Sequence, residues 1–150
     1  MTDMAENSKS SIVITHHFDA PVETIWAAWT DPAIVRRWWG SDPNGVVTSA
    51  ELDVHVGGHF EISFRDSTGD LHTCHGTYLR VATKTELDFT WAWKAEPHTI
   101  SHVNVAFAAE RAGTAMRFVH SELSGGSDHD YAQGWRRTFG KLDRALPHPL

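Results

Sequence analysis

Hydrophobic period changes twice along this chain, and that double switch limits the possible folds more than any other feature. From about Val46 to Ser121 apolar residues recur at every second position, whereas in the segments immediately before and after they recur at every third or fourth. Phe60, Ile62 and Phe64 alternate with His59, Glu61, Ser63 and Arg65. Leu87, Phe89, Trp91 and Trp93 share one strand face, as do Val103, Val105 and Phe107, and then Met116, Phe118 and His120. Candidate strands are Val46–Val54, the Phe60–Phe64 segment, His72–Val81, Thr85–Lys94, His102–Ala108 and Thr114–Ser121, preceded by Ser11–Phe18. Turn signals at Gly57-Gly58, Ser67–Asp70 and Gly113 leave near-hairpin spacing, so the strands should form an antiparallel meander.

Helices flank the meander. Val22, Ile25, Trp26 and Trp29 form one apolar stripe after Pro21, whose missing N–H is harmless at a helix start. Asp31-Pro32 repeats the start signal, with a capping carboxylate followed by proline, and the short helix it opens stops by Gly40. After Ser124-Gly-Gly-Ser127, Ser127 with Asp130 resembles a capping box. Tyr131, Trp135, Thr138/Phe139, Leu142 and Leu146 then recur at helical spacing up to Pro147. The expected fold class is α+β: a curved antiparallel sheet of about six strands, wrapped around a long C-terminal helix, with two short N-terminal helices. Such a sheet and helix would leave a cavity between them. Met1–Ser10 reads as a disordered tail and residues 11–147 as a single domain.

Several function classes lose support. The formal net charge is -6 and the basic residues are scattered, so the basic stripe expected of a nucleic-acid binder is missing. No apolar run approaches the ~20 residues of a membrane span, and the polar N-terminus lacks the apolar core of a signal peptide. Cys74 is the only cysteine, which precludes an intramolecular disulfide and suits a reducing compartment. A cytoplasmic location is expected.

The run Phe18–Trp26, then Trp29–Pro32, Trp38–Gly40, Asp53 with Gly57–Phe60, and Gly76–Tyr78 stand in a familiar order. Gly113-Thr114 and Gly134-Trp135 with Phe139, Leu142 and Leu146 complete it. Together they resemble the START-like, helix-grip (SRPBCC, birch-pollen-allergen-like) superfamily, specifically the bacterial group named after homologues of the heat-shock chaperone ATPase activator. The resemblance covers about Ile12 to Leu146 and implies a sheet gripping the C-terminal helix around a largely apolar pocket. It supplies no reaction, because the superfamily spans carriers, cyclases, stress proteins and chaperone partners. The eukaryotic activators act through a separate N-terminal domain with a basic-aromatic motif that this chain does not carry.

Seven tryptophans and eleven histidines require explanation. Trp26, Trp29 and Trp135 fit a core, whereas Trp91 and Trp93 fit core or ligand contact equally well. On a helix Trp38 and Trp39 point about 100° apart, so one should pack inward and the other lie near a pocket rim. His72 and His75, like His16 and His17, point to opposite strand faces and cannot share a metal, and no spacing supplies three or four ligands in one place. His55 and His59 would converge only if the Gly57-Gly58 turn brought them together. His120 ends an apolar strand face and needs a polar partner; it would serve as a general base, a ligand anchor or a satisfied histidine at the sheet rim. Of the acids, Asp53 matches a position where the family favours Asp, Glu61 falls on the outer face, and Glu122 follows the last strand. Cys74 reads as a small core residue. One arginine of Arg36-Arg37 or Arg136-Arg137 would reach the pocket mouth if an acidic ligand binds. Tyr131 stands where relatives often carry His.

The leading expectation is a small-molecule binding domain for an apolar or aromatic ligand, without cofactor or metal, as monomer or homodimer. Its contact residues would come from Trp38, Trp39, Phe60, Phe64, Tyr78, Trp91, Trp93, Phe107, Phe118 and Trp135, with His120 and Tyr131 as polar handles. The alternatives are a cyclase/aromatase-like or hydrolytic enzyme with His120 as base, and a stress-related partner of chaperones.

Overall fold

The computed structural model describes residues 9–124 and 130–146. Ten elements follow the expected plan: β1 (Lys9–Phe18), α1 (Val22–Thr30), α2 (Pro32–Val35), β2 (Val46–Leu52), β3 (His59–Arg65), β4 (Leu71–Ala82), β5 (Glu86–Trp93), β6 (Ser101–Glu110), β7 (Gly113–Ser124) and α3 (Tyr131–Ala145). All strands join one antiparallel sheet in the order β1-β7-β6-β5-β4-β3-β2. From β2 to β7 the order is a meander, and β1 closes the far edge beside β7. The sheet has seven strands rather than about six.

Irregularities let a sheet of this width curl instead of lying flat. Register shifts interrupt β1 after Ser10, β2 after Val47 and β4 after Tyr78, and each adds local bend and twist. Gly76 marks the tightest point. A Cβ there would lie 1.8 Å from the Thr90 carbonyl oxygen and 2.7 Å from the Phe60 ring, so only glycine fits. The bend is finished by Thr77 N–H, which donates to Thr90 Oγ1 (2.9 Å) instead of to a ladder carbonyl.

Several boundaries differ from the sequence reading. β1 begins at Lys9, inside the segment expected to be a tail; residues 1–8 lie outside the described residues. β2 ends at Leu52, because Asp53 N–H donates to the His59 carbonyl (2.9 Å) and the chain turns through the Gly57-Gly58 corner. The α3 cap is Asp130, whose carboxylate accepts from Gln133 N–H (3.2 Å); Ser127, the expected cap, lies outside the described residues. At the N-terminal side Asp31 caps α2 as expected, accepting from Ala33 N–H (2.9 Å) ahead of Pro32.

The inner face of the sheet packs on α3, which buries Trp135, Thr138, Phe139 and Leu142. Trp29 of α1 sits at the centre of this core, with ring centroids 5.0 Å from Trp38, 6.1 Å from Phe139 and 6.3 Å from Phe118. Trp38 is fully buried, and its indole N–H donates to the Ala28 carbonyl (2.9 Å). Most of the expected interior space is therefore filled by aromatic rings.

Candidate functional site

The filling stops at one end. An open cleft of about 810 Å³ lies where β3, β4 and β5 meet the first turns of α3, under the Trp39–Pro43 segment that follows α2. Trp39, Phe64, Trp91, Trp93, Tyr131 and Trp135 form its aromatic walls. Their positions follow from strand alternation. Phe64 pairs opposite His72, so both side chains share the inner face, and Trp91 and Trp93 continue that face on β5. Gly40 lets Trp39 reach the cleft: the chain turns there with φ +96, and a Cβ would press on the Phe64 ring at 3.1 Å.

Adjacent tryptophans thus part company. Trp38 faces the core, whereas Trp39 packs edge-on against Trp135 (5.6 Å) and lies 6.0 Å from Trp91. Lys141 of α3 ties this segment down, donating to the carbonyls of Trp39 (3.2 Å) and Asp42 (3.0 Å). Burial holds the Lys141 ammonium below its ordinary pKa.

Of the residues expected around a ligand, six line the cleft: Trp39, Phe64, Trp91, Trp93, Tyr131 and Trp135. Trp38, Phe60, Tyr78, Phe107 and Phe118 do not. All five are buried in the core toward the closed end, where α1 and α2 cover the sheet. His120 is completely buried one layer behind the wall. The Trp135 indole N–H donates to its Nδ1 (3.0 Å), which leaves the ring proton on Nε2. That N–H donates to Ser101 Oγ (2.7 Å), and Ser101 donates onward to the Trp91 carbonyl (3.3 Å). Burial, with His102 nearby, pushes the His120 pKa down to about 3, so the ring is neutral. Its chemistry in the fold is to lock Trp135 and the end of β5.

Tyr131 is half-buried. Its oxygen accepts from the Trp93 indole N–H (3.0 Å), and its ring meets His120 edge-on at 4.9 Å. Burial raises its phenol pKa, with the indole N–H groups of Trp93 and, more weakly, Trp91 acting in the opposite direction.

The polar rim holds residues that were not among the expected ligand contacts. Asp42, Asp66, His72, Glu96 and Asp130 line the cleft, along with Arg137 from the expected arginine pairs. Arg36 and Arg37 are exposed elsewhere. His72 Nε2 is 2.8 Å from Asp66 Oδ2. Asp66 also accepts from Thr68 Oγ1 and from the N–H groups of Thr68 and Asp70, and these bonds hold its carboxyl well below the usual range. Asp42 is lowered by the backbone N–H of Ser67, then by those of Asn44 and the Ser67 hydroxyl.

Five other described histidines pair separately: His16 with Asp143, His17 with Glu110 and Asp19, His55 with Asp53, His59 with Thr77, and His102 with Asp88. No cluster of metal-ligating side chains occurs among the described residues. Burial pushes the Cys74 thiol up to about 12, as for a core residue. No described helix is long and apolar enough to cross a membrane.

A curved antiparallel sheet closed on a long C-terminal helix, with two short helices between its first strands, is the helix-grip architecture. The chain belongs to the Activator of Hsp90 ATPase homolog 1-like protein family, whose model matches residues 19–147. This is a family of ligand-binding and chaperone-associated domains. The fold is similar to Ms6760 of Mycobacterium smegmatis, with a TM-score of 0.80 at 20% identity over 100% of this chain and 96% of that one. Protein CV1439 of Chromobacterium violaceum gives 0.79 at 19% identity over 91% and 97% of the two chains. The AHSA1-like protein of Aeromonas hydrophila gives 0.76 at 25% identity over 91% of each. No curated protein matches the chain in sequence.

Proposed function

We propose that the chain binds a small apolar or aromatic molecule in the cleft between β3–β5 and α3. One observation carries this reading. The sheet–helix interior is packed with aromatic rings at one end, whereas at the other six aromatic residues wall an open space of about 810 Å³. Ligand sites are concave, mostly apolar, and fall in the range of roughly 300–1,000 Å³. The contact residues are Trp39, Phe64, Trp91, Trp93, Tyr131 and Trp135. His120 acts as a positioning residue: both ring nitrogens are engaged, and neither is offered to a ligand. That arrangement favours binding over general-base catalysis at His120.

Tryptophan emission reports on this directly, because four of the walls are indoles. Titration with a panel of neutral aromatic compounds should quench or shift the emission saturably for at least one of them. The change should shrink in Trp93→Phe and persist in Trp26→Phe, whose ring lies away from the cleft. No saturable change with any compound, confirmed by calorimetry, rejects the reading.

A further inference from the structure

The polar groups of the cleft narrow the kind of ligand it takes. Asp66 Oδ1 accepts from Thr68 N–H (3.0 Å), Thr68 Oγ1 (2.6 Å) and Asp70 N–H (3.0 Å), and its Oδ2 is bound to His72. Asp42 Oδ1 accepts from Asn44 N–H (2.8 Å), and Oδ2 accepts from Ser67 N–H (2.9 Å) and Ser67 Oγ (2.8 Å). Asp130 caps α3, and the Gln133 amide, oriented to donate to Asp130 Oδ2 (3.2 Å), places its oxygen against Arg137 Nη2 (2.8 Å). The Tyr131 oxygen takes the Trp93 N–H. These four acceptors of the cleft are already serving protein donors.

His72 is arranged differently. Its Nε2 faces an ionised carboxylate, so in the neutral ring the proton sits on Nε2 and the lone pair on Nδ1. That nitrogen makes no hydrogen bond among the described residues, and the ring forms part of the cleft wall between Phe64 (5.5 Å) and Trp93 (6.2 Å). A carboxylate behind a histidine, fixing its tautomer and ring orientation, is the arrangement by which proteins present an imidazole acceptor.

We infer that His72, oriented by Asp66, is the specificity-determining residue of the cleft, and that its ligands are aromatic molecules carrying a hydroxyl or N–H donor. This rests on the cleft being the binding site. Asp66 is a positioning residue in this scheme and makes no contact with the ligand.

A matched pair of probes tests it: 2-naphthol, which carries the donor, and 2-methoxynaphthalene, which does not. A purely apolar cleft would prefer the ether, since one added carbon favours burial by about 0.8 kcal/mol, or roughly fourfold. A His72 acceptor reverses the order. Calorimetry at pH 8 should find the naphthol at least tenfold tighter in the native chain. The preference should vanish in His72→Phe, which keeps the ring stack, and should weaken in Asp66→Asn. In that variant the nitrogen chemical shifts of His72 should show a changed mixture of tautomers. Equal affinity for the two probes, or an unchanged ratio in His72→Phe, overturns the inference while leaving the cleft reading intact. Binding of neither probe overturns the inference, and the cleft reading falls as well if the wider panel also fails to bind. The native-chain ratio needs no variant, so poor folding of His72→Phe cannot obscure the result.

Discussion

Trp38 and Trp39 are neighbours in sequence and meet with ring centroids 5.3 Å apart, yet they belong to different regions. Trp38 lies at the closed end of the sheet–helix sandwich, fully buried among Trp29, Phe139 and the carbonyl of Ala28. Trp39 is a wall of the open end, facing the cleft between the sheet and the first turns of α3. The two ends use the same residue types on the same inner face. What separates them is coverage: α1 and α2 lie over one end, while the ten-residue connection 36–45 bends across the other. An aromatic strand face therefore becomes core or pocket according to what the rest of the chain lays over it.

Removing the large ring at the closed end should have the largest effect. Trp38→Ala deletes a fully buried indole with a satisfied N–H, and such changes cost about 3–5 kcal/mol. Urea unfolding should place the midpoint far below that of the native chain. Trp93→Ala at the partly exposed cleft should cost less than half as much. Equal losses at the two sites would erase the distinction between the ends.

The next effect is a pH dependence arising at the boundary between them. His120 has its pKa lowered by burial from 6.5 to about 3 in the fold. Between those values the unfolded chain binds more protons than the folded one, so stability is full above about pH 6.5 and falls as pH drops. Asp42 and Asp66, with lowered pKa values, add their own loss only at more acidic pH. The window from pH 6.5 to 5 thus isolates histidine, and the loss there should be on the order of 2 kcal/mol. His120→Gln should flatten the urea midpoint across that window by about one proton's worth of slope. An unchanged slope would mean that His120 titrates normally and that the layer behind the cleft is wet.

Lys141 sharpens the comparison on the smaller scale of one segment. Its two bonds to the carbonyls of Trp39 and Asp42 hold the cleft's cover to α3. Lys141→Met should lower stability by about 1 kcal/mol. Amide hydrogen exchange should speed up at residues 40–45 and stay unchanged at α1. Uniform acceleration throughout the chain would show that the segment is part of the global core and has no separate role at the cleft.

Much of this organisation was legible in the sequence because it is local. The period-2 run from Phe60 to Phe64 and the 3.6-period run from Tyr131 to Leu146 state their faces outright, and Asp31-Pro32 states a helix start. The missed features depend on parts of the chain that are distant in sequence. Phe60, Tyr78, Phe107 and Phe118 were expected at a cavity and lie in core, since nothing in their own strands says where α1 and α2 will rest. His72 could have been found: it shares the alternating face of Cys74 and Tyr78, opposite Phe64, once the question shifts from metal spacing to which face the ring occupies. Asp66 could not, because its role comes from a turn that folds its carboxylate onto His72.

The smallest effect is expected at Tyr131, where it tests whether the open end is open. Tyr131→Phe keeps the ring against His120 and removes the oxygen that accepts the Trp93 N–H. In a closed core a stranded indole N–H would cost about 1–3 kcal/mol. At the cleft Trp93 is only partly buried, so water can replace the phenol oxygen, and the loss should be nearer 0.5 kcal/mol. The urea midpoint should therefore move little, while the emission maximum should shift to longer wavelength as the Trp93 indole becomes hydrated. A loss comparable to that of Trp38→Ala would place Tyr131 and Trp93 inside the sealed core and remove the physical basis for a binding cleft.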